Sequence, residues 1–151
     1  MTGRPSKILN KLFDFGNKVH NSIYRRSGGK FAHTAANLPI LLITTYGRKS
    51  GKPHTNPVVY MQEGQSYIVS ASAGGTDYHP GWYLNLKNRP EAKVEVGYKA
   101  FSVKAEITEN DERHILYEKF KSISPNFSKY EKNTERLIPV IRLTVINEVE
   151  S

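Results

Sequence analysis

Apolar positions along the chain follow two different periods. From Ser6 to Arg26, Ile8, Leu12, Phe15, Val19 and Ile23 recur every three or four residues, the spacing of one stripe of an amphipathic helix. Leu9, Phe13 and Tyr24 widen that side, Ser6 is placed to cap the helix, and Gly28-Gly29 to end it. The expected place for such a helix is across the body of the fold. A basic helix carrying aromatic residues also suits an anionic membrane surface. Residues 28–37 read as a loop. Beyond them the period shortens to that of strands: Leu38–Thr45, Asn56–Met61, Ser66–Ser72, Ala92–Val96, Ala100–Ile107 and Pro139–Ile146. Between these lie a short helix from about Pro80 to Lys87, with Thr76 or Asp77 as its cap, and a longer one from about Asn110 to Ser122. The longer one directs Ile115, Leu116 and Phe120 inward. Pro125 breaks that helix, and a last short one covers Phe127 to Arg136. About six strands without strand–helix–strand alternation predict an α+β protein whose antiparallel sheet closes as a small barrel with flanking helices. Residues 1–30 form an N-terminal arm on this reading, and residues 31–151 the barrel domain.

At 151 residues, 38% of them hydrophobic and 11% aromatic, the chain is long enough for one domain with a real core. The absence of cysteine removes disulfides, thiolate metal sites and cysteine nucleophiles, and fits a reducing compartment. No signal-peptide core follows the basic start, and no run approaches the ~20 apolar residues that span a bilayer, so a cytoplasmic location is expected. The net charge of +8 is unevenly placed. Residues 1–30 hold seven basic residues against Asp14 alone, a balance of +6, which leaves the rest of the chain nearly neutral. That asymmetry makes the arm the element to suspect of peripheral contact with the inner face of a membrane. No recognition motif or aromatic-interleaved basic face accompanies it, which argues against nucleic acid.

The candidate chemistry lies between Leu38 and Trp82. The first hairpin turns at Gly47-Arg48-Lys49-Ser50-Gly51-Lys52-Pro53, a tip with three cations and no acid. Backbone N–H groups freed at a glycine turn, with the hydroxyls of Ser50 and Thr55, suit a phosphate or carboxylate, although a solvated basic turn is the plain alternative. The tip is not a nucleotide-hydrolase P-loop, because three residues rather than four separate its glycines. The histidines at 20, 33, 54, 79 and 114 show no metal-ligand pairing, so no metal is expected. Ser72, Asp77 and His79 lack the context of a hydrolase nucleophile. The strand ending in Ser70–Gly75 stops at glycines that allow close approach of a ligand, and the only tryptophan, Trp82, follows. An anion-binding end, a glycine-lined floor and an aromatic wall together suit a flat, phosphate-bearing cofactor such as a flavin.

The motifs Thr44–Pro53, Asn56-Pro57, Ser72–Gly75 and Pro80–Leu86, with Tyr130 and Thr134–Val140, resemble the deazaflavin-dependent nitroreductase family. The resemblance runs in order from about Leu38 to Leu143. It implies a split β-barrel that uses the 8-hydroxy-5-deazaflavin coenzyme F420 to transfer hydride to a quinone, a nitro compound or an activated alkene. By the same resemblance Arg48, Lys49 and Ser50 bind the phosphate and acidic tail, Ser70, Ser72, Ala73 and Gly74 contact the chromophore, Trp82 walls it, and Tyr130 lies on the substrate side. Asn56 and Pro57 belong to the cofactor-binding motif. The family often has arginine where this chain has His54 and lysine where it has Ala73, and the loss of two fixed charges is expected to weaken tail or phosphate binding or to shift the load to Lys52. Phe127 stands where some members place a substrate-facing tyrosine, which makes nitro prodrugs poor substrates. FMN, or a haem-type ligand in the same barrel, and a non-catalytic cofactor-binding protein are the alternatives, and the sequence does not fix an oligomeric state.

Overall fold

The computed structural model describes residues 7–27, 34–35 and 38–150, with side chains over residues 16–27 and 38–150. The elements run α1 (Lys7–Ser27), β1 (Thr34–Ala35), β2 (Leu38–Tyr46), β3 (Pro53–Glu63), β4 (Ser66–Ser70), a one-turn 3-10 segment (Ala73–Gly75), α2 (Gly81–Asn88), β5 (Glu91–Val96), β6 (Lys99–Ile107), α3 (Asn110–Ile123), α4 (Asn126–Lys132) and β7 (Val140–Val149). The sheet is antiparallel in the order β1-β2-β3-β4-β7-β6-β5, and β2 also pairs with β5. That pairing, Leu42 opposite Glu95 and Thr44 opposite Lys93, closes six strands into the expected barrel and leaves β1 as a two-residue addition.

The apolar runs owe their continuity to burial on both faces. In β2, Leu41 and Ile43 point into the barrel with Val69, Val94 and Leu143, whereas Ile40 and Leu42 point outward against Tyr24 of α1. In β4, Tyr67 and Val69 face in, while Ile68 faces out beneath Leu116, Tyr117 and Phe120 of α3. Strand β4 ends at Ser70 rather than Ser72, because Ser72 already has right-handed backbone angles.

Several sequence expectations change. Neither Thr76 nor Asp77 caps α2, whose N-cap is Pro80 in an extended conformation without a side-chain cap. Ile115 is 55% exposed, since the buried face of α3 is Arg113, Leu116, Tyr117 and Phe120. Helix α4 stops at Lys132, four residues short of Arg136, and frees that arginine for the site.

The largest change concerns α1. Val19 and Ile23 of its apolar stripe are 45% and 47% exposed, and the helix lies against the barrel by the neighbouring face. Asn21 donates to the Thr55 carbonyl at 3.1 Å. The Tyr24 hydroxyl donates to the Glu95 carbonyl and accepts the Gly97 N–H at 2.9 Å, and burial raises its pKa. Arg25 grips the Glu95 carboxylate with Nε and one terminal nitrogen, both at 2.9 Å. These polar anchors have specific partners on β3 and β5, which a bare apolar stripe lacks, and they set the rotation of the helix. Ile8, Leu12 and Phe15, with the caps expected at Ser6 and Gly28, lie outside the residues described with side chains.

Tyr24→Phe removes a hydroxyl that satisfies a backbone donor and a backbone acceptor. A loss of about 1–3 kcal/mol is expected in urea unfolding. An unchanged midpoint would mean that water replaces the hydroxyl and that α1 is not anchored there.

Candidate active site

A cleft of ≈ 220 Å³ opens where the middle of β3, the end of β4, α2 and α4 converge. Pro57 and Val59 supply the β3 side, and Ser70, Ser72, Ala73 and Gly74 the floor. Trp82, only 8% exposed, forms a wall, and Phe127 and Tyr130 close the far side. Seven sequence-predicted residues therefore meet in one place: Pro57, Ser70, Ser72, Ala73, Gly74, Trp82 and Tyr130. Leu38, Ser124 and Asn126 also line it and carried no sequence signal of their own.

Arg48, Lys49, Ser50, His54 and Asn56 are not part of that lining. They occupy the hairpin tip and the adjoining start of β3, where His54 pairs with Thr45 and Asn56 with Ile43. The tip closes on itself through Gly47 N–H to Lys52 O and Gly51 N–H to Gly47 O, each 2.8 Å, and Ser50 Oγ accepts the Lys52 N–H. A Cβ on Gly47 would lie 2.6 Å from Ser50 Oγ, so any other residue there would push that hydroxyl off its bond to the Lys52 N–H. The N–H groups of Lys49 and Ser50 have no partner among the described residues, and three cations surround them. Four residue steps along β3 lead from Pro53 at the tip to Pro57 at the cleft, roughly 13 Å of extended chain.

Asn85 ties the tip to the cleft. It is 5% exposed on α2, one turn beyond Trp82. Its Oδ1 accepts both the Arg48 backbone N–H at 3.2 Å and the guanidinium at 3.0 Å, and its Nδ2 donates to Thr45 Oγ1. A readable signal was an asparagine on the apolar face of a helix, which demands hydrogen-bond partners.

The cleft floor is strained. Ala73 has φ +46, a left-handed conformation that costs an L-residue about 1–3 kcal/mol. Gly75 has φ +81, and a Cβ there would lie 2.8 Å from Tyr130 Cα and 2.9 Å from Tyr130 O. The floor thus packs backbone to backbone against α4 and fixes where Tyr130 stands. Tyr117 secures the other end of α4 by donating to the Phe127 carbonyl at 2.6 Å, and burial pushes its phenol up to about 12.

Two features make the pair of sites fit a flat ring with an anionic tail. At the cleft the buried Ser70 Oγ and the N–H groups of Ser72, Ala73 and Gly74 have no partner among the described residues. The tip offers unpaired N–H donors amid positive charge. Uncharged donors at the ring end and cations at the tail end match the charge distribution of such a molecule.

A family profile described as F420H(2)-dependent quinone reductase matches residues 17–145. An F420H(2)-dependent quinone reductase of Mycobacterium tuberculosis (strain ATCC 25618 / H37Rv) is 35% identical over 131 residues, which cover 84% of this chain and 88% of that one. The solved structure of an F420-H2 dependent reductase (FDR-A) is 37% identical, with a TM-score of 0.64, and covers 70% of this chain and 93% of its own. Another, described as a domain-swapped dimer, is 32% identical with a TM-score of 0.66 and covers 87% and 98%.

Gly75→Ala meets both a positive φ and the backbone of α4, and a loss of about 2 kcal/mol or more is expected in urea unfolding. Gly74→Ala, at φ +66 with open space around its Cβ, is expected to lose only about 1 kcal/mol. Equal losses at the two positions would show that the contact with Tyr130 is not tight.

Proposed function

Because the chain belongs to the F420H(2)-dependent quinone reductase family, we propose that the cleft is where a hydride passes from reduced coenzyme F420 to a quinone. The family is one of oxidoreductases, and coenzyme F420 is its cofactor. The observation that carries the assignment to this cleft is its alignment with the basic tip along β3: an aromatic-walled, uncharged slot at one end and a cation cluster at the other.

Bound, the coenzyme supplies the two-electron hydride donor. Arg48, Lys49 and Ser50 hold the phosphate and acidic tail, with Arg48 preset by Asn85, while Lys52, His54 and Asn56 line the way toward the cleft. Pro57, Ser70, Ser72, Ala73 and Gly74 seat the ring, and Trp82 covers it and excludes water. A quinone reduced by hydride needs a proton at oxygen. The Tyr130 phenol, at the cleft's far side, donates a hydrogen bond to the acceptor oxygen and passes on that proton from solvent. Nitro compounds and activated alkenes are further acceptors on this reading, being flat and bearing an oxygen or polarised carbon for the same donor.

Equilibrium titration followed by fluorescence is the test. Micromolar binding of oxidised F420 with much weaker binding of FMN is expected, followed by quinone turnover in the reduced state. Preference for FMN would overturn the cofactor's assignment to this cleft, and binding without turnover of any acceptor would favour a carrier over an enzyme. Tyr130→Phe should lower kcat roughly tenfold or more with little change in coenzyme affinity. Unchanged kinetics would remove Tyr130 from the chemistry.

Residues 1–30 serve as an arm that rests on an anionic membrane, where an apolar quinone is concentrated. What supports this is the outward-facing Val19 and Ile23 with exposed Lys18 and Arg26 beside them. No helix among the described residues is long and apolar enough to cross a membrane, so the contact is peripheral. Anionic vesicles should sediment the full chain, less so at high salt, and Val19→Asp with Ile23→Asp should leave it in solution. If the double variant sediments like the parent, the helix is not the contact.

A further inference from the structure

Arg136 lies outside every motif role given above, yet it makes more hydrogen bonds than any other side chain near the cleft. Nε donates to the Thr76 carbonyl at 2.7 Å, and one terminal nitrogen donates to the carbonyls of Ser72 at 2.8 Å and Ala71 at 3.2 Å. The other donates to His79 Nδ1 at 3.0 Å. Burial, with Arg136 and Lys87 close by, lowers the His79 pKa, so the imidazole stays neutral and can accept. His79 also rests against the Tyr83 ring, with centroids 4.8 Å apart, which fixes it to α2.

Peptide planarity turns this clamp into a statement about the cleft. In a trans peptide the carbonyl of one residue and the N–H of the next point in opposite directions. With the carbonyls of Ala71 and Ser72 drawn onto Arg136, the N–H groups of Ser72 and Ala73 point away from it. Both residues line the cleft, and neither N–H has a partner among the described residues. Ser72 in the right-handed region followed by Ala73 and Gly74 at positive φ is the backbone sequence of an anion-binding nest. The remaining carbonyl of the turn, Ala73, is occupied by the Thr76 N–H, so the turn presents donors rather than acceptors.

We propose that Arg136 is a positioning residue that holds the Ser72 and Ala73 N–H groups toward the cleft as a paired donor site for a ring carbonyl oxygen of the bound deazaflavin. The inference rests on the F420 reading of the cleft. It accounts for the strain at Ala73, which the clamp on either side maintains. The guanidinium also lies behind the donors, so its charge reinforces their pull on a partly negative oxygen.

Isotope-labelled protein titrated with oxidised coenzyme F420 and followed by amide resonances tests it. In the parent, the amide protons of Ser72 and Ala73 should move downfield on binding, as should those of Lys49 and Ser50 at the tip. Arg136→Gln should weaken binding roughly tenfold or more and lose the Ser72 and Ala73 response, while Lys49 and Ser50 still respond at saturation. Arg136→Lys, able to reach fewer carbonyls, should fall between. If the tip amides respond in the parent but Ser72 and Ala73 do not, the donor site is wrong and the coenzyme reading stands. If no amide responds, both fall. An Arg136→Gln protein that binds and shifts like the parent would remove Arg136 from the role. Should that variant not fold, the parent and Arg136→Lys still decide the matter.

Discussion

Pairing of β2 along both its edges is the constraint on which the architecture depends. Its partners β3 and β5 are far apart in sequence, so this one strand both forms the first hairpin and closes the barrel. Closure removes the exposed edges of the six-stranded sheet, leaving two-residue β1 as the one strand outside it among the described residues. It also accounts for why Leu38–Tyr46 reads as a nearly unbroken apolar run: one face fills the barrel and the other lies under α1. Once β2 is fixed, the basic tip at its end and the cleft further down β3 are held at a set separation.

Apolar packing alone does not aim the functional groups. Three polar side chains with partners distant in sequence do so: Tyr24 seats α1 on β5, Asn85 joins Arg48 to α2, and Arg136 gathers the turn after β4. Each is largely withdrawn from water and each satisfies several groups at once. Removing one therefore leaves backbone donors or acceptors unpaired, which costs about 1–3 kcal/mol per group, more than the net worth of a typical hydrogen bond. The same asymmetry makes such residues good locators. An apolar neighbour can slide by an ångström, whereas a bidentate or shared hydrogen bond has one geometry.

What the sequence disclosed follows from this division. Strand periodicity, the glycine-bounded tip and the clustering of Ser70–Gly75 with Trp82 are local patterns, and they emerged with boundaries shifted by a few residues. The orientation of α1 did not, because periodicity identifies an apolar stripe without saying whether a neighbouring polar face has better partners. Val19 and Ile23 face outward for that reason. Ile115 was misplaced by a single step around α3, where Arg113 and Tyr117 define the buried side instead. Arg136 was legible as part of a motif but not as a clamp, since its partners lie about 60 residues earlier. Nothing in the letters Ser-Ala-Gly-Gly indicates that the alanine, with its Cβ, takes the positive φ alongside the glycines.

The separation of charge between the two ends of the site bears on how ligands are chosen. Arg48, Lys49 and Lys52 are exposed, so their attraction for an anionic tail is felt at a distance and is screened by salt. The cleft has no charged lining residue among those described, and its donors are neutral: backbone N–H groups and side chains such as Ser70, Asn126 and Tyr130. Hydrogen bonds in that drier setting depend little on salt and strongly on shape. On the proposed reading, the tip governs capture of anything with a phosphate, FMN included, and does little to tell one such ligand from another. Discrimination between ring systems then falls, on the same proposal, to the floor of the cleft, where the strained Ala73 and the close approach of Gly75 to the α4 backbone leave little room to adjust. The proposed division thus puts selectivity in the strained turn and attraction in the exposed tip.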